Sequence, residues 1–319
     1  MKTLQRFRPI LCLVGLLLMS GAAYGQPPTS NVDGGTPSRG PGKPVTIPLT
    51  IRMSSDEAPT ELTNIDLTVS EDGEPQQILS IRAIPNSPIT LAVLIQDDLV
   101  PSVANEIKPL AEFIRNLPKG SRVMIGYLRT GSLQVRQKFT SDLEKAAKSL
   151  RAPSGSASLG PYNPYVEVLE ALRTFEAQPL GRRAILLVSD GLDISRGVDS
   201  SAPTQSIDLQ RAVNESQRRS VAIYGFYSPT FASAANRTLA GNAQSSLLRL
   251  SNETGGLAFF QGTGAPVSFE PFIRELDVSL QKQAALTFLS THLKKGFHKI
   301  EVKSVTPGVR IAYPSGYVR

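Results

Sequence analysis

The middle of the chain alternates short apolar runs with segments whose apolar residues recur at helical spacing. The clearest run, ITLAVLI at residues 89–95, carries no charge and predicts a strand buried on both faces. Further strands are predicted at 122–128, 133–139, 184–188, 221–226 and 257–260. Helices are predicted at 103–117, 142–150, 165–175, 207–218, 243–254 and 269–281. Apolar strands separated by helices indicate an α/β fold, doubly wound, with a mainly parallel sheet and helices on both faces.

Two features extend this pattern. A short turn joins the strands at 122–128 and 133–139, which predicts one antiparallel strand at the edge of the sheet. Strand-like segments also flank the α/β block of residues 88–283, and we expect the two flanks, 45–87 and 284–319, to pair as a small β subdomain beside it. The segments with strand-type alternation are 45–52, 65–69, 77–84, 284–289, 296–303 and 309–313.

Residues 1–25 have the organisation of a secretory signal peptide. Three basic residues precede the apolar stretch 10–19, and small residues lead to Gly25, where we expect cleavage. A buried N-terminal helix is the competing interpretation. Residues 26–44 are rich in Pro, Gly and Ser and predict a flexible linker. We therefore expect an exported chain, in the periplasm, at the cell surface or outside, with no transmembrane segment in its mature form.

The amino-acid composition argues against several kinds of catalytic, metal-binding and nucleic-acid-binding sites. The single cysteine, Cys12, lies in the expected signal peptide, so disulfides and thiolate catalysis are not expected in the mature chain. The two histidines, His292 and His298, are too few for a zinc site, and we place both on the surface. The formal net charge is +7, but the basic residues are scattered and not interleaved with aromatic ones, so no nucleic-acid partner is expected.

Two pairs of carboxylates follow directly on predicted strands, Asp97 with Asp98 and Asp190 with Asp193. In an open parallel sheet such loops meet beyond the carboxyl ends of the strands, where ligands bind. Neighbouring carboxylates repel unless a cation, an arginine or a proton compensates them, and a hard divalent ion with oxygen ligands is one solution. Arg196 is a second solution, because it is close enough in sequence to pair with Asp190 or Asp193.

The order of elements and several short phrases resemble a von Willebrand factor type A domain. The phrases are the strand and acid at 93–98, LVSDG at 187–191 and ETGG at 253–256. Within that family the chain is similar to the exported von Willebrand A-related proteins of Acidobacteria, and the similarity extends over residues 45–319. The segments that carry this narrower similarity are 67–76, 256–260, 299–303 and 315–317.

The resemblance implies a protein-interaction module with a metal-ion-dependent adhesion site. In the family this site uses Asp-x-Ser-x-Ser after the first strand, a threonine from a second loop and an aspartate from a third. Aligned on Asp97, the chain has Leu99 and Pro101 at the serine positions and Tyr162 near the threonine position, so Asp97 and Asp190 alone remain. We expect a degenerate site that needs no cofactor and binds Mg²⁺ or Mn²⁺ weakly at best.

Three carboxylates are the candidate metal ligands, Asp97, Asp98 and Asp190. The competing interpretation for Asp97 and Asp190 is that they cap helices or accept hydrogen bonds from loop amides. The candidate contacts for a partner are Ser102, Tyr162, Tyr165 and Asp193.

These observations favour an exported, non-catalytic interaction or scaffold module whose partner is a protein. Two alternatives remain open. One is a divalent-cation-dependent adhesin that uses a remodelled site at Asp97, Asp98 and Asp190, with an acidic group of the partner completing the coordination. The other is a carboxylate-based hydrolase, although the sequence contains no recognisable pairing of a nucleophile with a base.

Overall fold

The computed structural model describes residues 42–53, 67–82 and 87–319. The expected signal peptide and most of the expected linker lie outside these residues, so both remain predictions. None of the helices in the described part of the chain is long and apolar enough to cross a membrane.

The described residues form two sheets and a set of helices. The strands are β1 (Lys43–Met53), β2 (Leu67–Glu71), β3 (Glu74–Arg82), β4 (Thr90–Gln96), β5 (Arg122–Arg129), β6 (Ser132–Thr140), β7 (Arg183–Ser189), β8 (Ala222–Tyr227), β9 (Ala258–Phe259), β10 (Gln283–Ser290), β11 (Phe297–Ser304), β12 (Val309–Ala312) and β13 (Gly316–Val318). The α-helices are α1 (Ile107–Arg115), α2 (Leu143–Lys148), α3 (Pro164–Thr174), α4 (Ile207–Arg219), α5 (Phe231–Ala235), α6 (Arg237–Thr254) and α7 (Glu270–Gln281).

The first sheet has the strand order β6-β5-β4-β7-β8-β9. All neighbouring pairs are parallel except β5 with β6, which are antiparallel. β4 lies at the centre with all seven residues buried, and Val93 is opposite Ile125 on one side and Leu186 on the other. This order confirms the prediction of a doubly wound, mainly parallel sheet with one antiparallel edge strand.

Two apolar cores cover the two faces of this sheet because side chains alternate along each strand. Leu91, Val93 and Ile95 of β4 pack in the core that α1, α2 and α7 cover, whereas Ala92 and Leu94 pack in the core under α3, α4 and α6. Each fully buried aliphatic side chain contributes about 1.5–3 kcal/mol of transfer free energy. The strand was predicted to be buried on both faces, and it is.

Prolines and capping residues determine the helix boundaries more closely than the spacing of apolar residues does. The predicted helix at 103–117 is divided into a 3-10 helix, Pro101–Glu106, and α1, because Pro109 has no amide hydrogen and suits the first turn of a helix. α6 begins at Arg237, six residues before the predicted start, where the side chain of Asn236 accepts from two backbone amides. The short helix α5 was not predicted.

The second sheet is antiparallel and has the order β12-β1-β10-β3-β2-β11-β13. The segments before and after the α/β block pair within it, as β1 lies against β10 and β2 against β11. This β unit is larger than the small subdomain that was expected, because its sheet has seven strands and the α/β sheet has six. β1 begins at Lys43, two residues before the expected boundary, and β13, three residues long, is too short for alternation to reveal.

Replacing Val93 with Asp should prevent folding. The side chain at this position is 0% exposed, so an ionised carboxylate would have neither water nor a partner, at a cost of several kcal/mol against a total stability of about 5–15 kcal/mol. Circular dichroism melting of purified protein measures the effect. The matched change Val267→Asp, at a side chain that is 91% exposed, should melt like the parent. A Val93→Asp protein that melts cooperatively would contradict the placement of β4.

Candidate functional site

The loops that follow β4, β7 and β8 meet at the carboxyl edge of the α/β sheet. Leu99 forms an isolated β-bridge with Thr230, and the Ser228 amide donates to the carbonyl of Ser189 over 3.1 Å. The loop at 151–164 joins them, since the Gly155 amide donates to the Asp97 carbonyl over 3.0 Å. The convergence expected from the strand ends is therefore present.

Asp97, at the end of the central strand, is held by two arginines. Arg151 donates to Oδ1 from Nη1 at 2.6 Å and to Oδ2 from Nη2 at 2.9 Å, while Nε of Arg129 donates to Oδ2 at 2.6 Å. The Ser154 amide adds a hydrogen bond to Oδ1 at 3.0 Å. The carboxylate itself is 0% exposed, so its charge is compensated entirely by protein groups.

These contacts determine the protonation of Asp97. Burial alone would raise the pKa of its carboxyl, but the hydrogen bonds from Arg151, Ser154 and Arg129 outweigh burial and hold the pKa below its ordinary value. Asp97 is therefore a permanent anion at neutral pH, with both oxygens occupied by cationic donors.

Arg151 is itself fixed by Tyr127 of β5. Its guanidinium lies 4.0 Å from the centre of the Tyr127 ring, a cation–π distance. The Tyr127 hydroxyl donates to the Arg151 carbonyl and accepts from the Arg151 amide, both at 2.7 Å. The arginine is consequently positioned by the sheet as well as by the carboxylate that it neutralises.

Asp190, after β7, has hydrogen bonds but no cationic partner. Its Oδ1 accepts from the Leu192 amide at 3.1 Å, and its Oδ2 accepts from the Thr230 hydroxyl at 2.8 Å. The residue is 3% exposed. Burial, assisted by the negative charge of Asp98, raises the pKa of Asp190 to about 6. The same edge of the sheet thus carries one compensated and one uncompensated carboxylate.

Asp98 lies between these two carboxylates and is half-buried. Gln96 connects the group, because its Nε2 donates to Asp98 Oδ1 at 2.9 Å while its Oε1 accepts from the Asp190 amide at 3.2 Å. Burial, with a further contribution from the charge of Asp97, raises the pKa of Asp98.

The loop at 151–164 covers Asp98 at Gly160. A Cβ atom at Gly160 would lie 2.0 Å from Asp98 Oδ2, so no other residue fits there without displacing the carboxylate. Thr130 holds the loop in place through a hydrogen bond of 2.7 Å from its hydroxyl to the Gly160 carbonyl. The loop therefore packs its own backbone against Asp98.

Two of the expected partner contacts are internal. Tyr165 is 0% exposed and donates from its hydroxyl to the Gly191 carbonyl at 2.6 Å. Asp193 is 2% exposed and accepts from the hydroxyls of Ser195 and Ser206, both at 2.6 Å. Predicting either as a surface contact was wrong, because each satisfies buried polar groups of neighbouring loops.

The remaining candidates lie at the surface or bind elsewhere. Tyr162 is 64% exposed, and Ser102 is exposed. Arg196 donates to the Gln205 carbonyl at 2.7 Å, and no ion pair joins it to Asp190 or Asp193. The compensating cations proved to be Arg129 and Arg151, which sequence reasoning missed. One signal existed, since Arg129 ends β5 beside β4, next to the Asp97 loop.

The donors present do not fit the divalent ion that the resemblance implies. Leu99 is buried and, like Pro101, has no side-chain oxygen at the positions of the family's serines. Both oxygens of Asp97 already bind guanidinium groups. Across residues 42–53, 67–82 and 87–319 no group of three or more His, Cys, Asp or Glu side chains could hold a metal ion. Two guanidinium groups, and not a cation from solution, are the positive charges that contact Asp97.

The strand order, the antiparallel edge strand and an aspartate at the end of the central strand occur together here. The α/β unit has a von Willebrand type A-like fold. The sequence matches no protein-family model, and no curated protein is significantly similar to it.

Several solved structures resemble this von Willebrand A-like unit at low sequence identity. An aerotolerance-related membrane protein from Bacteroides fragilis NCTC 9343, with multiple mutations to serines, is 12% identical, covers 61% of this chain and 98% of its own, and has a TM-score of 0.41. BatB from Bacteroides thetaiotaomicron is 11% identical, with coverage of 61% and 97% and a TM-score of 0.41. The SpRpn10 VWA domain is 13% identical, with coverage of 60% and 93% and a TM-score of 0.35. The strand order, rather than these likenesses, identifies the fold.

Replacing Arg151 with Met should lower the free energy of unfolding by about 2 kcal/mol or more at neutral pH, because a buried carboxylate loses a bidentate partner. Arg129 and the Ser154 amide remain, which keeps the loss below the roughly 3–5 kcal/mol that is usual when a buried ion pair loses a partner. Urea denaturation measures it. The control Arg196→Met, whose guanidinium meets a carbonyl, should change stability by less than about 0.5 kcal/mol. Equal losses for both variants would argue against the role given to Arg151.

Asp190→Asn should stabilise the protein at neutral pH. The pKa of Asp190 is about 6 in the fold and near 4 when unfolded, so its ionisation opposes folding as pH rises through this interval. We expect the variant to gain about 2 kcal/mol at pH ~7.5 and little at pH ~4, measured by urea denaturation. Asp199→Asn, at an exposed position, serves as the control. A loss of stability at pH ~7.5 would instead indicate that the ionised form is compensated.

Proposed function

We propose that the chain is an exported, non-catalytic protein-interaction module that binds its partner at the carboxyl edge of the von Willebrand A-like unit without a metal ion. One observation carries the proposal. Asp97 stands where the family places its first metal ligand, yet two arginines and a backbone amide already satisfy it. Guanidinium groups fixed by the protein compensate the charge of Asp97, which therefore needs no cation from solution.

Two exposed aromatic rings at this edge are suited to bind a partner. Tyr162 is 64% exposed and Phe231 is 60% exposed. The Tyr162 carbonyl accepts from the Ile194 amide at 2.8 Å, which attaches it to the loop after β7. Phe231 directly follows Thr230, which binds Asp190 and caps α5. Aromatic side chains on fixed backbone lose little conformational freedom on binding and are frequent interface hot spots.

The state of the carboxylates supports a role without catalysis. Asp97 is fully ionised and bonded at both oxygens, so it has no free position for a proton. Asp190 has a pKa of about 6, in the range of a general acid, but it is 3% exposed and both oxygens accept hydrogen bonds. A hydrolase would need one of these oxygens within reach of a substrate.

Export is supported by the N-terminal sequence pattern.

Capture of a partner tests the proposed edge. The mature chain, immobilised and exposed to envelope extract of the source cells, should retain its partner equally with and without a chelator. Tyr162→Ala combined with Phe231→Ala should abolish retention, because both rings contact the partner. Leu180→Ala is the matched control, since this side chain is 83% exposed and lies just before β7, at the opposite edge of the sheet. A partner lost with Leu180→Ala, or released by the chelator, would refute the proposal.

Addition of Mg²⁺ to the purified protein should leave its melting temperature unchanged. A site with a micromolar dissociation constant would add about 4 kcal/mol at ~1 mM free ion, whereas a site near 10 mM adds about 0.06 kcal/mol. Differential scanning fluorimetry separates these cases. A clear shift that disappears in Asp97→Ala or Asp190→Ala would favour the cation-dependent adhesin, with Asp97, Asp98 and Asp190 as its ligands.

A further inference from the structure

Both histidines of the chain belong to one cluster, His298 on β11 and His292 in the loop after β10. The expectation that they are surface residues was wrong for His298, which is 5% exposed. Its ring stacks on Tyr317 of β13 with 5.3 Å between centroids, and the His292 ring is 5.9 Å away. The cluster lies where β2, β3, β11 and β13 meet, so its charge state bears directly on how these strands are held together.

The hydrogen bonds of His298 require a charged ring. Its Nδ1 lies 2.8 Å from Asp72 Oδ2, and its Nε2 lies 2.8 Å from the Lys294 carbonyl oxygen. A carboxylate and a carbonyl can accept hydrogen bonds but cannot donate them, so both ring nitrogens must carry a proton. The fold is thus built around the imidazolium form of His298.

Glu71, at the end of β2, depends on this positive charge. It is 0% exposed, and its Oε1 accepts from the Tyr317 hydroxyl at 2.6 Å and from the Ser290 hydroxyl at 3.0 Å. Oε1 also lies 3.6 Å from Nδ1 of His298. A buried carboxylate is costly unless an opposite charge lies nearby, so loss of the imidazolium charge would make the burial of Glu71 less favourable.

His292 faces the same carboxylates from the loop after β10. Its Nδ1 is 3.4 Å from Glu71 Oε2, and neither of these two buried atoms has a hydrogen-bond partner. Its Nε2 is 3.7 Å from Glu74 Oε2 on the other side. A protonated ring would present a donor to each carboxylate, whereas a neutral ring has one donor only.

We propose that this cluster is a pH-sensitive clamp, which holds β11 and β13 against the β2–β3 hairpin while His298 is protonated and loosens when His298 loses its proton. The titratable and charged groups that face the two rings are the carboxyls of Glu71, Asp72 and Glu74, the phenol of Tyr317, and Arg319, whose guanidinium donates to the His292 carbonyl. Three acids face one arginine, so the positive charge of the His298 ring helps to balance the cluster.

The direction of the pH response follows from two coupled groups. Burial would lower the pKa of His298, but the Lys294 carbonyl and Asp72 outweigh it and raise that pKa above the ordinary value of about 6.5. Burial would raise the pKa of Asp72, but the bond from His298 lowers it. The stabilisation by His298 is therefore complete below pH ~6.5 and is lost as pH rises through its folded-state pKa. On the acid side, the stabilisation is lost as pH falls through the lowered pKa of Asp72.

A metal ion is the alternative partner for Glu71 Oε2 and His292 Nδ1, which face each other without a hydrogen bond. The described residues, however, bring no group of three His, Cys, Asp or Glu side chains into a geometry that could hold a metal. Protons on both ring nitrogens satisfy the contacts of His298 without a metal.

Hydrogen exchange of the full mature chain, corrected for intrinsic rates, tests the clamp. We expect protection of the Lys299 and Ile300 amides, which bind Asp72 and the Ser315 carbonyl, to fall at least about ten-fold between pH 5.5 and 8.5, since losing one hydrogen bond between charged groups changes an equilibrium constant by about that factor. Amides of β4 and β7 should keep their protection. Protection at Lys299 that is independent of pH would overturn the proposal.

Variants separate the clamp from a general loss of stability. His298→Gln should remove the pH dependence and leave low protection throughout, while Glu301→Gln, at an exposed pair with Lys303 on the same strand, should retain the parent's response. Should His298→Gln fail to fold, NMR titration of His298 in the parent protein decides the question. Both ring nitrogens should be protonated at pH 6.5, and a pKa at or below 6.5 would refute the clamp.

Discussion

The charge of one buried carboxylate organises the carboxyl edge of the α/β sheet. Removing Asp97 from water costs several kcal/mol unless opposite charges and donors surround it, so every group that reaches it is restrained. Arg129 comes from the end of β5, and Arg151 and Ser154 come from the loop after α2. Three segments that are distant in sequence are thereby joined at one atom pair. The ring of Tyr127 then supports Arg151 from the sheet side, which extends the restraint into the core.

At the neighbouring acid, Asp190, the cost of burial outweighs the compensation by hydrogen bonds. It has no cationic partner, and burial keeps its pKa near 6, so at neutral pH its ionised form opposes folding. Groups that reduce stability in this way are frequent where a protein binds or reacts, because function and stability place different demands on the same side chain. The two exposed rings that we assign to the partner, Tyr162 and Phe231, are attached to the loops around this acid.

Much of the α/β unit was predictable, because runs such as residues 89–95 and the helical spacing between them follow directly from two-sided burial. The meeting of Asp97, Asp98 and Asp190 followed from the rule that strand ends share an edge. The pairing of Arg129 and Arg151 with Asp97 could not be predicted, because it depends on which strands are neighbours and on a loop without periodicity. The histidine cluster was missed for the same reason, as Ser290, His298 and Glu71 come together only through the register of the antiparallel sheet.

The pairing of β1 with β10 has a consequence for the order in which the chain acquires its structure. Thr46 and Thr287, which share a hydrogen bond across these strands, are 241 positions apart. In a chain that emerges with its N-terminus first, the strands of the α/β sheet are complete at β9, whereas β1 has no partner until β10 emerges. Contacts between residues so far apart in sequence form slowly. Until then, an unpaired strand exposes backbone hydrogen-bonding groups that can pair with other chains. The hairpin of β2 and β3 likewise has no partner until β10 and β11 emerge. The protein is therefore most prone to aggregate just before its last strands emerge.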